Sequence, residues 1–188
     1  MNVFSAQDWG IESKGKRMTA WGVHFGDILE VAAEGLICSA NVQLNLSGGV
    51  GGAILQRYGN EMQSVLHRRL KELGRLNATP GECVLTPSCG TPFRAVVHAV
   101  AIDGFYDTSG ELVELAYDSA FAILTEQSCR TIVAACLGCG YGRFPAGEFV
   151  NVVNRLKWKS FPAVEKIILA TTNSDLAEAI RLALAESL

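Results

Sequence analysis

The sequence predicts an α/β layered fold with a largely parallel central sheet. Strand-like and helix-like patterns alternate from Trp21 to the end of the chain. Residues 93–102 are almost wholly apolar, as a strand buried on both faces must be. Two glycine-rich stretches each follow a predicted strand and precede a predicted helix. In open α/β sheets, loops in that position form the ligand-binding edge.

Taken in order, residues 21–25 alternate large side chains and predict a strand, followed by the turn Gly26-Asp27. Residues 35–40 are a second short apolar run. Residues 53–73 show helical spacing through Ile54, Leu55, Tyr58, Met62, Leu66, Leu70 and Leu73, with a break at Gly59-Asn60. Strands are expected at 83–86, 93–102, 131–136 and 166–171, and helices at 112–124, 148–158 and 174–188. Asn173 or Ser174 is the natural N-cap of the last helix, since either side chain can accept from a free N–H of the first turn.

The composition narrows the function classes. A chain of 188 residues fits one domain, and 49% hydrophobic against 19% charged residues is ample to build a core. The longest apolar runs, 131–137 and 166–170, fall well short of the roughly 20 residues of a membrane span, so no membrane association is expected. Residues 1–15 include Asp8, Glu12 and Lys14 and lack the apolar centre of a signal peptide, which predicts a cytoplasmic protein. Net charge is -3 and the pI about 5.6, without the basic excess of a phosphate-backbone binder. The densest basic cluster, His67, Arg68, Arg69 and Lys71, reads as the solvated side of a helix. Sequence-specific nucleic-acid binding is not expected, whereas a small anion held by backbone N–H groups remains open.

Six cysteines without a secretion signal predict reduced thiols. Cys136 and Cys139 form a C-x-x-C, but zinc needs further ligands, and a Thr-Pro between Cys83 and Cys89 makes a poor chelating loop. Cys139 lies between two glycines instead of opening a helix. Small buried hydrophobes are the favoured reading, with no metal and no cofactor.

The first glycine-rich loop runs Asn41-Val42-Gln43-Leu44-Asn45-Leu46-Ser47-Gly48-Gly49-Val50-Gly51-Gly52 and enters the helix expected near Ala53. Glycine lets the backbone turn tightly and approach a ligand closely, and the free N–H groups of a helix start favour an anion. No Gly-Lys-Ser/Thr follows, which excludes the P-loop of an NTPase. A loop chosen only for its geometry is the competing reading. The second loop, Leu137-Gly138-Cys139-Gly140-Tyr141-Gly142-Arg143-Phe144-Pro145, should lie on the same sheet edge. Facing each other, the two could clamp a diphosphate with backbone donors, with Tyr141 and Phe144 covering a ribose. Arg143 could add a charge or simply face solvent.

Five pieces in order carry a family resemblance: Gly26-Asp27-Ile28, Ser39-Ala40-Asn41, Gly48-Gly49-Val50-Gly51-Gly52-Ala53, Val96-Val97-His98-Ala99-Val100, and the loop from Gly138 to Pro145. Residues 21–188 resemble a macro domain, leaving 1–20 as an N-terminal extension or an extra strand. The resemblance implies a three-layer α/β/α sandwich with a mixed, largely parallel sheet. It also implies binding of ADP-ribose or of an ADP-ribosylated macromolecule, with either hydrolysis of the ADP-ribosyl ester, deacetylation of O-acetyl-ADP-ribose, or recognition alone.

By matched position, Asp27 would accept from the adenine amino group, with the Ile28 backbone beside it; Asp27 also reads as a helix N-cap. Asn41 would contact the terminal ribose and is the candidate catalytic residue. Ser47, Gly48, Gly49, Val50 and Gly51 would wrap that ribose and the proximal phosphate. Gly138, Cys139, Gly140, Tyr141, Gly142, Arg143 and Phe144 would form the phosphate loop, and Thr171, Thr172 and Asn173 would flank the adenine and its ribose. His98 reads as structural.

Two departures bear on chemistry. The family's usual Asn-Ala-Ala-Asn is Cys38-Ser39-Ala40-Asn41, and the aspartate that follows Gly-Gly-Val in many hydrolases is Gly51. The second weakens the enzyme reading without removing it, because an ester has a good leaving group and positioning alone can contribute up to about 7–11 kcal/mol.

Overall fold

A computed structural model describes residues 19–185. The extension expected at residues 1–20 lies outside the described residues except at Thr19 and Ala20, and Ala20 opens the first strand.

The strands are β1 (Ala20–Phe25), β2 (Gly35–Ser39), β3 (Cys83–Pro87), β4 (Ala95–Ala99), β5 (Thr131–Ala135) and β6 (Lys166–Thr171). They form one six-stranded sheet in the order β1-β6-β5-β2-β4-β3. Every neighbouring pair is parallel except the edge pair β3–β4. The helices are α1 (Gly49–Tyr58), α2 (Glu61–Glu72), α3 (Gly110–Glu126), α4 (Ala146–Leu156) and α5 (Ser174–Ala185). A single 3-10 turn, Ile28–Glu30, follows β1.

Alternation along each strand divides the core into two layers. Ile37, Val97, Ile132, Ala134, Ile167 and Leu169 face α3, α4 and α5. Leu36, Cys38, Val96, Val133 and Ala170 face α1 and α2. The expected α/β/α sandwich is therefore observed. Because both faces are covered, the central strands read as apolar runs.

Two buried polar groups are tied into this frame. Tyr117, on α3, donates its hydroxyl to Ala135 O at 2.6 Å and accepts from Leu137 N at 3.2 Å. It thereby fixes the point where the chain leaves β5 for the second glycine loop. His98, on β4, shares Nε2 with Thr86 Oγ1 at 3.2 Å, while the Thr86 hydroxyl reaches Val96 O at 3.3 Å. Burial pushes the His98 pKa down to about 4, so it is neutral, in keeping with a structural role.

Two boundaries differ from the sequence expectation. β4 spans Ala95–Ala99, not 93–102. Phe93, Val100, Ala101 and Ile102 are buried but lie outside the ladder, and periodicity cannot separate a buried strand from buried loop flanking it. α1 begins at Gly49, not near Ala53. Gly48 is its N-cap, and Gly52 N donates to Gly48 O at 3.0 Å. Three of the glycines thus form the first helical turn instead of a turn before it. The expected break holds at Gly59, where φ is +78° and the N–H closes on Leu55 O at 3.1 Å.

Candidate functional site

The chain leaves the carboxyl ends of β1, β6, β5, β2 and β4 into a single cavity of about 690 Å3, within the roughly 300–1,000 Å3 range of small-molecule sites. Sheet order sets its long axis. Asp27, Thr172 and Asn173 lie at the β1/β6 end, the loop after β5 crosses the middle, and Asn41 and Tyr106 come from the β2 and β4 side.

At the β1 end, Asp27 caps the 3-10 turn by accepting from Leu29 N at 2.9 Å through Oδ1. Its Oδ2 pairs with the guanidinium of Arg57 from the last turn of α1. The Leu29 N–H, then the Arg57 side chain, hold this carboxyl below its ordinary range. Asn173 caps α5 by accepting from Leu176 N at 3.0 Å. Asp27 is the only carboxylate in the wall among the described residues, and the wall contains no lysine, arginine or histidine. An anion bound here would be held by backbone dipoles and neutral side chains.

The loop after β2 alternates buried and exposed side chains, with a turn closed by Leu44 N on Asn41 O at 2.9 Å and Val42 O accepting from Ala78 N at 2.7 Å. Val42, Leu44 and Leu46 turn inward and are buried, while Asn41, Asn45 and Ser47 face the cavity. Leu44 takes φ +56°, which a leucine adopts only when its surroundings impose it. Gln63 of α2 supplies that constraint: Nε2 donates to Leu44 O at 2.9 Å and Oε1 accepts from Leu46 N at 2.6 Å. Four residues on, His67 Nε2 meets Asn45 Oδ1 at 2.9 Å. Asn41 is locked from the other side, since Oδ1 accepts from Asn45 N at 3.0 Å and Nδ2 donates to Asn45 O at 3.2 Å. One amide hydrogen of Asn41 remains available to a ligand. At the α1 start, the N–H groups of Gly49, Val50 and Gly51 are those a first helical turn leaves unpaired.

The loop after β5 is held by its own backbone: Cys139 N donates to Cys136 O at 3.2 Å, Arg143 N to Gly140 O at 3.3 Å, and Phe144 N to Gly138 O at 3.0 Å. A side chain on Gly142 would come within 2.8 Å of Gly138 O and 2.7 Å of Ile102, so glycine is required there. Tyr141 reaches across the cavity. A Cβ on Gly48 would sit 2.6 Å from its hydroxyl oxygen, so the two loops touch at this point. Cys136 and Cys139 line the wall, and burial pushes both thiols up, Cys139 to about 12. Such thiols are protonated at neutral pH and poor nucleophiles.

The cavity wall gathers Asp27, Ile28, Asn41, Ser47, Gly48, Gly49, Val50, Gly51, Gly138, Cys139, Gly140, Tyr141, Gly142, Thr172 and Asn173. Arg143 and Phe144, expected in the phosphate loop, lie off the wall. Arg143 takes φ +49° and is exposed. Phe144 is 9% exposed and packs beneath Gly138 and Gly110, because an aromatic ring gains more by joining the α3/α4 core than by covering a wet cleft. Sequence reasoning missed Asn45, Ile102 and Tyr106. The alternation of residues 41–47 could have flagged Asn45. Tyr106 depends on a turn in which Asp103 Oδ1 accepts from Phe105 N at 2.8 Å and Asp107 N at 2.9 Å.

The fold and the paired loops define a class. A family model for the macro domain matches residues 37–153, and the chain belongs to that family. An uncharacterised protein of Mycobacterium tuberculosis is 27% identical over 156 residues, which cover 83% of this chain but 42% of the relative. The chain thus spans less than half the length of the first curated relatives it matches. An O-acetyl-ADP-ribose deacetylase of Salmonella gallinarum is 26% identical over 132 residues, covering 69% of this chain and 73% of that one. Among solved structures, an Oceanobacillus iheyensis macrodomain mutant with ADPR superposes with a TM-score of 0.77 at 19% identity, covering 86% of this chain and 90% of the other. A Trypanosoma brucei macrodomain in complex with ADP gives a TM-score of 0.74 at 19% identity, with 88% and 69% covered.

Proposed function

We propose that this protein binds ADP-ribose, free or carried by a macromolecule, in the cavity between its two glycine-bearing loops. The adenine lies at Asp27 and Ile28, the diphosphate between the α1 start and the loop of Gly138–Gly142, and the terminal ribose at Asn41. The observation that carries this reading is the meeting of the two loops across one cavity at Tyr141 and Gly48. That juxtaposition points unpaired backbone donors at a common space, which suits a diphosphate in a wall without cationic side chains. The relative named for O-acetyl-ADP-ribose and the macrodomain neighbour with ADPR support the choice of ligand. Titration calorimetry with ADP-ribose should give a saturable one-to-one isotherm, and no heat at high ligand concentration would remove the proposal.

Hydrolysis of an ADP-ribosyl ester is the activity this placement supports. Water attacks the anomeric carbon, the ester carboxylate leaves, and the ligand's own phosphate helps to orient the water. Asn41 holds the ribose through its remaining amide hydrogen. A single-turnover assay on ADP-ribosylated protein compares the native chain with Asn41→Ala; equal rates would take Asn41 out of the mechanism. Recognition without turnover is the second reading. It is favoured by Gly51, where a Cβ would press on Leu46 Cα at 3.1 Å, so that no acid is accommodated without a shift. Binding in the calorimeter with no release from modified protein is the outcome that selects it.

A further inference from the structure

The Asp27–Arg57 pair lies outside the family resemblance, and Asp27 is the one charged side chain in the cavity wall among the described residues. Arg57 sits thirty positions from Asp27 in the chain and reaches it from the last turn of α1. Asp27 lines the cavity and Arg57 does not, so the guanidinium approaches the carboxylate from outside the ligand space. Oδ1 is already held by Leu29 N at 2.9 Å and Oδ2 by Arg57. Two donors on two oxygens fix both the position and the plane of the carboxylate. The lone pairs left over are acceptor-only, and an ionised carboxylate has room for further bonds beyond these two.

Resting on the reading of the site as an ADP-ribose cleft, we propose that Arg57 is a specificity-determining residue: it immobilises Asp27 so that the base subsite selects a 6-amino purine over a 6-keto purine. A fixed acceptor gains a hydrogen bond from an exocyclic amino group. Against a keto oxygen the same fixed carboxylate sets two acceptors face to face, a repulsive element that sharpens the choice. Without Arg57, the side chain is held at one oxygen only and rotates about it. Rotation gives up part of the attraction for the amino group and relieves part of the repulsion of the keto group. Arg57 therefore acts through Asp27 and needs no contact with the ligand. The side chains of the pair are 41% and 30% exposed, which leaves room for substitution at Arg57 without opening the core.

The experiment measures calorimetric affinities for ADP-ribose and for inosine diphosphate ribose in the native protein, Arg57→Ala, Arg57→Lys, Asp27→Asn and the double variant. Thermal unfolding is recorded for each. Arg57→Ala should weaken ADP-ribose about fivefold to tenfold and the inosine analogue less than about twofold, so that the preference between them collapses. Arg57→Lys should restore part of the preference, because a single ammonium holds Oδ2 without fixing the plane. In Asp27→Asn, whose amide serves donors and acceptors alike, removing Arg57 should leave the ratio unchanged. Equal losses for both ligands in Arg57→Ala would make Arg57 merely structural and overturn the inference while leaving the cleft intact. A preference for 6-amino purine that rises in Arg57→Ala would also overturn it, since Arg57 would then be donating to the keto oxygen itself. Failure of the native protein to bind either ligand removes the cleft reading and this inference together.

Discussion

The two loops that border the cavity are held by different means. The loop after β2 is closed at Asn41 by Leu44 N and Asn45, largely through a side chain, and is held from outside by Gln63 and His67 on α2. The loop after β5 closes on itself through three backbone bonds, with Phe144 anchoring its far end in the core. The first therefore presents the side chains of Asn41, Asn45 and Ser47 to the cavity, followed by the backbone of the α1 start, while the second presents mostly backbone and one exposed ring, Tyr141. On the proposed reading, the ribose meets the side chains of the first loop, and the diphosphate meets N–H donors from the α1 start and from the self-closed loop.

The comparison can be broken most sharply at Gly142. Gly142→Ala sets a methyl group against backbone and Ile102 together, where nothing flexible can yield. It should weaken ADP-ribose binding at least about tenfold, equivalent to ~1.4 kcal/mol, read by calorimetry. Gln63→Ala tests the other loop. It deletes two bonds to the backbone of residues 44 and 46, so stability should fall by about 1–3 kcal/mol in a urea titration. Turnover should suffer more than binding, because Asn41 loses its support while the self-closed loop keeps its form.

Gly48→Ala and Tyr141→Ala separate the point of contact from both loops. The clash in Gly48→Ala falls on the end of an exposed tyrosine, which can swing away. Both variants should keep thermal stability within about 0.5 kcal/mol of native and show a faster ligand off-rate by stopped flow. The smallest effect concerns pH at the base end. The Asp27 carboxyl lies below its unfolded value of 3.8, so the stability from its pairing is fully present above that value and is lost as pH falls through the folded one. Asp27→Asn should accordingly be less stable than the native chain by a near-constant amount above about pH 4, and the gap should close as pH falls below that value, followed by circular dichroism.

Much of the site was legible before the structure, and the parts that were not share a cause. The glycine runs were marked locally, each before a predicted helix, whereas Asp27 and Asn41 were named through the family resemblance; these two and most of the glycines line the cavity. The misplacement of Phe144 came from reading an aromatic residue by its neighbours in sequence; the core between α3 and α4 claimed it. The N-terminal shift of α1 to Gly49 went unseen because glycine lowers helix propensity, a local preference that the packing of Gly51 against Leu46 overrides. Gln63, His67 and Arg57 left no trace, since each looks like an ordinary polar residue on a helix surface.

From the chain alone came the alternation of layers, the parallel sheet, the edge that carries the cavity and, to within a residue except at β4, where the strands end there. These follow from periods of two and of 3.6 residues, which are properties of neighbouring positions. The order β1-β6-β5-β2-β4-β3 decided the remainder. It set Asp27 and Tyr106 at opposite ends of one cavity, brought the two loops together at Gly48 and Tyr141, and carried Arg57 to Asp27 and Gln63 to the backbone of Leu44. Contacts of that kind depend on which strands lie side by side, and side-chain pairing across such distances leaves no periodic mark on the sequence.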